Sequence, residues 1–199
     1  MVKKIVGTGV LLVLALALQA GVKMYTLKSP DGKVKLEVTA GQGIAYSLFY
    51  DGRLLLKPSR IALHTDLPEA DHWENIRITG TKQRHVSETV QAPFYRVKEF
   101  GIDCNELELR LNNGFSLLMR AYNDGMAYRF VAGRKGEMTV VEERAEFNFA
   151  DDFEAYIPYS TNPKDPWNMA FQNFYTKAPL TQYNTELPAF LPLTVDAGA

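Results

Sequence analysis

Apolar and polar positions alternate with a period of two along most of this chain. Val34, Leu36 and Val38 are interleaved with Lys33, Lys35 and Glu37, which predicts a half-buried strand. Ser29-Pro30-Asp31-Gly32 ahead of it predicts a turn, with proline presetting φ and glycine taking the positive-φ position. Residues 44–50 and 53–57 flank Asp51-Gly52, a strong two-residue hairpin signal. Leu107, Leu109 and Leu111 alternate with Glu106, Glu108 and Arg110, and Asn112-Asn113-Gly114 then turns the chain into Phe115, Leu117 and Met119. Another hairpin follows at Asn123-Asp124-Gly125, where positive φ is expected at the centre of the turn. Residues 140–147, 155–158 and 190–195 read as further strands. Beyond the first twenty residues no segment carries a helical apolar stripe over three turns. Turn signals recur at the spacing of about eight to twelve residues typical of sandwiches and barrels. The pattern predicts an all-β fold: one mostly antiparallel β-sandwich, in keeping with a chain of 199 residues.

The first twenty residues are different. Lys3 and Lys4 precede an uncharged apolar run from Ile5 to Leu18, with small residues at Ala15, Ala17 and Ala20. This is the order of a secretory signal peptide, spanning residues 1–20. The run is short against the roughly 20 residues a membrane span needs. Cleavage after Ala20 leaves Gly21 as the mature start, whereas cleavage after Ala17 better satisfies the small-x-small rule. The expected location is therefore the periplasm of a bacterium, or the medium. Cys104 is the sole cysteine, so an intrachain disulfide is impossible and a buried core thiol is expected.

Charge adds little. There are 22 basic and 23 acidic residues, spread along the chain, for a net charge of −1. Neither nucleic acid nor, after signal cleavage, a membrane is expected as a partner, since both require a concentrated basic patch. Catalytic signatures are missing as well: no Gly-x-Ser-x-Gly elbow, phosphate-binding glycine loop or paired-cysteine metal motif occurs. His64, His72 and His85 stand apart in polar stretches and read as exposed or structural. Asp151, Asp152 and Glu154 read as a solvated strand entry, because they lack the spaced oxygen ligands and glycine turn of a calcium loop.

Residues 151–183 break the alternation. Pro158, Pro163, Pro166 and Pro179 deny ladder hydrogen bonds, so much of this region should be loop. It is rich in aromatics, with Tyr156, Tyr159, Trp167, Phe171, Phe174, Tyr175 and Tyr183. Two roles are open for Trp167 and its neighbouring tyrosines. They pack the loop onto the sandwich, or they stack on sugar faces, whose C–H surface suits a flat amphipathic ring.

Several phrases, in order, resemble the amino-terminal domain of glycoside hydrolase family 97. They are Leu27-Lys28-Ser29-Pro30-Asp31-Gly32, Leu48-Phe49-Tyr50-Asp51-Gly52, Pro58-Ser59, Asn105-Glu106-Leu107, Arg120 through Phe130, Tyr156-Ile157-Pro158, and the stretch from Pro188 to Val195. The resemblance implies an antiparallel β-super-sandwich of the galactose-mutarotase-like type over residues 21–199, incomplete at its carboxy-terminal end. It implies an exported α-glucosidase or α-galactosidase whose catalytic carboxylates lie on a (β/α)8 barrel, the domain's own partner, beyond this chain. No catalytic residue carries over, and the chain alone is expected to be inactive. The family's sandwich also extends a loop that supplies a glutamate to calcium beside the sugar site. That position aligns with Gln172, whose carbonyl oxygen ligates without charge, or in a shifted register with Asn173. The implied substrate-binding residues are Tyr159, Trp167 and Asn173, and the implied metal ligand is Gln172. The other reading is a stand-alone periplasmic carbohydrate-binding or adaptor sandwich.

Overall fold

The computed structural model describes residues 23–68, 70–160, 162, 164–165 and 173–198. Three antiparallel sheets account for the fold. The first runs β1 (Lys23–Lys28), β2 (Val34–Gly41), β3 (Gly43–Tyr50), β4 (Arg53–Thr65) and β9 (Val140–Ala145) in spatial order. The second is a meander of β5 (Ile78–Gln91), β6 (Glu99–Leu111), β7 (Phe115–Tyr122) and β8 (Gly125–Ala132). The third is small, with β10 (Glu154–Ile157) between β11 (Thr176–Pro179) and β12 (Thr194–Asp196). The architecture is the all-β sandwich that the alternation predicts.

The first two sheets pack face to face because alternation puts every second residue of each strand on one side. Leu36, Val38, Ile44, Tyr46 and Ile61 of one sheet meet Leu107, Leu109, Leu117, Met119 and Ala121 of the other, all buried. Trp73 closes one end of this core, with its ring 5.1 Å from Phe130 and 6.0 Å from Phe115. Its indole N–H donates to the Leu63 carbonyl at 3.1 Å, so the polar edge is not stranded. Tyr46 does the same, donating to the Glu146 carbonyl at 3.2 Å, and burial pushes its phenol up to about 12. Pro58 sits inside β4, where the register against β3 shifts between Tyr46 and Leu48, a place where a ladder donor is not needed.

The hairpins form where the sequence puts them, but by different backbone routes. At Asp51-Gly52 both residues have positive φ, 48° and 80°, which matches the right-handed twist of β3 and β4. The Asn123-Asp124 turn departs from expectation: β7 and β8 close at Tyr122↔Gly125, yet neither residue of the turn nor Gly125 has positive φ. A side chain helps instead. The Asp31 N–H donates to Asn123 Oδ1 at 3.0 Å, tying this turn to the one before β2.

Other boundaries also shift. The strand expected at 140–147 stops at Ala145, and Phe147 beyond it is exposed. The one expected at 190–195 shrinks to Thr194–Asp196. β1 and β5 were not signalled by the pattern. β5 pairs with β6 out to Gln91↔Glu99, whereas β7 joins β6 only from Cys104 onward. Residues 87–103 therefore leave the sheet as a two-stranded arm with Phe94 fully exposed at its tip. Cys104 is buried, as expected of its thiol.

Candidate functional site

The aromatic region is held by a neck between the small sheet and the segment that follows β11. Tyr159 forms an isolated bridge with Ala189, and its flanks are pinned by Ser160 N–H to the Pro188 carbonyl (2.7 Å) and Phe190 N–H to the Pro158 carbonyl (3.0 Å). The Tyr159 ring lies 5.4 Å from that of Tyr183, and its hydroxyl accepts the Asn184 N–H at 2.7 Å. Asn173 Nδ2 donates to the Tyr159 carbonyl at 3.0 Å across a separation of 14 residues. Two of the four residues singled out from the sequence, Tyr159 and Asn173, are thus in direct contact. Trp167 and Gln172 lie outside the described residues.

Beside the neck, Phe174 is almost wholly exposed and Tyr175 is exposed as well. An apolar groove of about 1140 Å³ runs next to it, lined by Phe147, Leu180, Tyr183, Leu191 and Val195. The acidic residues at its rim have structural work. Asp152 accepts both the N–H and the hydroxyl of Thr181, at 2.9 and 2.8 Å, and fixes the 3-10 turn Leu180–Gln182; Glu154 pairs with Lys177 at 2.9 Å on the neighbouring strand. Asp151, Asp152 and Glu154 are exposed at the entry to β10, as the sequence suggests, and Asp152 also anchors a turn there. Among the described residues no three His, Cys, Asp or Glu side chains come together as a metal-holding group.

The alternation did not reveal one charged cluster. Glu106 is buried on the outer face of the four-stranded sheet, between Arg84 Nε at 2.7 Å and Arg120 Nε at 2.8 Å. Cross-strand register explains it, since Arg84, Glu106 and Arg120 face one another on β5, β6 and β7. Burial would raise the carboxyl, but the two arginine hydrogen bonds outweigh it and hold Glu106 below its usual range. With one oxygen committed to each guanidinium, this carboxylate suits a brace better than a proton-transfer group. Two of the three histidines are similarly tied: His64 Nδ1 lies 2.7 Å from Asp71, and His85 Nε2 lies 3.1 Å from Asp103.

Sandwich and neck together define a β-module in which the described residues flanking the aromatic stretch, Tyr159 and Asn173, are held together. Comparison with known proteins places it. The family described as glycosyl-hydrolase 97 N-terminal matches residues 27–199, and the chain belongs to that family. A retaining alpha-galactosidase of Bacteroides thetaiotaomicron is 40% identical over 189 residues, covering 92% of this chain and 28% of the relative. A probable retaining alpha-galactosidase of Streptomyces bingchenggensis is 26% identical over 158 residues, covering 77% of this chain and 24% of the relative. The chain thus spans about a quarter of the length of the curated relatives it matches. Among solved structures, a glycoside hydrolase family 97 enzyme from Pseudoalteromonas sp. strain K8 in complex with panose has a TM-score of 0.64 at 18% identity, over 79% of this chain and 25% of that one. A beta-arabinopyranosidase has a TM-score of 0.65 at 22% identity, over 76% of this chain and 26% of the other. At those identities the structural likeness concerns the fold.

Proposed function

We propose that the chain is the non-catalytic amino-terminal sandwich of an exported α-glycoside hydrolase. It braces a catalytic (β/α)8 barrel elsewhere in the polypeptide and lends one loop to that barrel's sugar site. The observation that carries this is the neck. Asn173 donates to the Tyr159 carbonyl, so the two residues that flank the aromatic stretch are fixed to each other on the sandwich. An α-galactoside is the favoured substrate over an α-glucoside, on the names of the two relatives. Trp167 then serves as the stacking face for a pyranose, and Tyr159 and Asn173 hold its loop in place. Hydrolysis would use two barrel carboxylates, about 5 Å apart if the anomeric configuration is retained.

Calcium is part of this reading. Gln172 would offer a neutral carbonyl oxygen; Asn173 spends its N–H on Tyr159, and its Oδ1 accepts no hydrogen bond among the described residues. Bound calcium would supply positive charge beside the sugar. A site that draws neutral oxygens from this loop should bind it weakly.

Kinetics of the full-length enzyme on a chromogenic α-galactoside test the proposal. Trp167→Ala should raise KM several-fold, and Asn173→Ala should act in the same direction by loosening the neck. The 199-residue chain by itself should give no turnover. Activity of the isolated chain, or full-length kinetics indifferent to both substitutions, would refute the reading.

A further inference from the structure

A second groove lies on the outer face of the five-stranded sheet, at its Gly41–Gly43 end, and encloses about 1070 Å³. Its floor is made of small residues. Thr39, Ala45 and Arg60 form one cross-strand row on β2, β3 and β4, while the alternate positions Ala40, Ile44 and Ile61 face the core. Arg60 and Arg144 rise from β4 and β9, and Arg77 faces them from the segment ahead of β5.

The walls are rigid. Asn112 clasps the Arg77 backbone from both sides, accepting its N–H at 2.8 Å through Oδ1 and donating its own N–H to the Arg77 carbonyl at 3.0 Å. The neighbouring Ile76 is buried and donates its N–H to the Gly41 carbonyl at 2.9 Å. On the other wall, Glu146 is the one acidic side chain among the described lining residues, and both its oxygens are taken. Oε1 receives the Arg144 guanidinium, and Oε2 receives the Arg60 N–H at 2.9 Å and Asn148 Nδ2 at 3.2 Å.

Among the described residues the guanidiniums of Arg60 and Arg77 have no hydrogen-bond or ion-pair partner, and neither do the side-chain amides of Gln42 and Asn75. Three arginines thus face one satisfied carboxylate, with unused neutral donors between them. No aromatic ring is among the described lining residues, so the groove lacks a stacking platform for a neutral pyranose.

We propose that this groove binds an acidic oligosaccharide, with Arg60 and Arg77 pairing its carboxylates and Gln42 and Asn75 reading its hydroxyls. Guanidinium forks match carboxylates in geometry as well as charge. The open groove is far larger than a single small anion and has room for a chain of sugar units. The choice of sugar rests on the reading of the chain as a carbohydrate-active domain.

Calorimetry on the full-length polypeptide tests this with tri-galacturonate, a neutral galactose trimer and inorganic sulfate as probes. Tri-galacturonate should bind, and added salt should weaken it. Arg60→Ala with Arg77→Ala should weaken it at least about tenfold, since two charge-assisted contacts are lost. Arg60→Lys with Arg77→Lys keeps the charge without the fork and should recover only part of the affinity lost to alanine, and this partial rescue separates charge loss from misfolding. No binding, equal binding of the neutral trimer, sulfate competing as well as the oligomer, or indifference to the double alanine change would each overturn the proposal. Turnover of an α-galactoside by the same preparation is scored separately. Hydrolysis without acidic binding sinks only the groove; acidic binding without hydrolysis supports the groove and counts against the hydrolase reading.

Discussion

Asp51-Gly52 and Asp124-Gly125 are the same dipeptide at two hairpins, but they make opposite demands on the backbone. Gly52 has φ 80°, where a Cβ is strained, whereas Gly125 lies outside the positive-φ region and an added Cβ meets nothing within 4 Å. Gly52→Ala should therefore cost about 1–2 kcal/mol. Gly125→Ala should be neutral or stabilise by up to about 1 kcal/mol. Urea denaturation of the two variants checks the contrast, and equal losses would contradict it. The sequence could not separate them, because Asp-Gly reads alike at both turns and the Asn123 contact with Asp31 that ties in the second comes from 92 residues away. Glu106 is a second case of hidden context. Glu-Leu-Glu-Leu reads as an ordinary polar/apolar strand, and only the register with Arg84 and Arg120 makes one of those glutamates a buried brace. Glu106→Gln should destabilise by about 1–3 kcal/mol at neutral pH. Because the folded carboxyl sits below its ordinary 4.5, its contribution is complete above that pH and fades as pH falls through the folded value. The stability gap between wild type and variant should thus close in acid, and a gap constant down to about pH 3 would disprove the assignment.

At the scale of elements, strands with one dry face were readable, whereas of those with few or no buried residues β8 and β9 were found and β1 and β5 were not. β2 and β7 each alternate buried and half-buried residues, and both stand out in the sequence. β5 has only Val86 fully buried among its 14 residues, and β1 only Leu27 among its six, so neither carries a period to detect. The arm at residues 87–103 follows from the same fact, since it consists of the half of the β5–β6 hairpin that no third strand covers. Isolated two-stranded ribbons are marginal in water. Amides of the arm should accordingly exchange with solvent far faster than those of β7. Replacing residues 89–101 by Asn-Gly should leave the unfolding free energy within about 1 kcal/mol of wild type. A larger loss would mean that the arm contributes to the core.

Among the described residues the buried side chains form one main core, with a smaller buried group at the third sheet. The main core joins the two large sheets, and Leu117 at its centre is completely buried; Leu117→Ala should cost about 2–5 kcal/mol by calorimetry or denaturant. Phe153, Ala155 and Ile157 of the small sheet are buried outside that cluster. β10, β11 and β12 should therefore open together at a lower free energy than β2 or β7 in native-state hydrogen exchange. Equal protection would show a single cooperative unit. The candidate site was legible only as a composition, proline with aromatics where alternation failed. Its neck was not, because Tyr159 and Asn173 meet through a backbone carbonyl that no residue pattern encodes.

That contact between Asn173 and Tyr159 turns the stretch between them into a closed circuit, with both terminals soldered to the sandwich. The entropy of closing such a circuit grows only with the logarithm of its length, by about 0.6 kcal/mol for each doubling. The segment can therefore be lengthened, shortened or exchanged for one of different sequence while the scaffold beneath it keeps its fold. Under the proposed function, one sandwich would be refitted for different sugars by swapping a cassette, with Tyr159 and Asn173 as the points where the splice must be made.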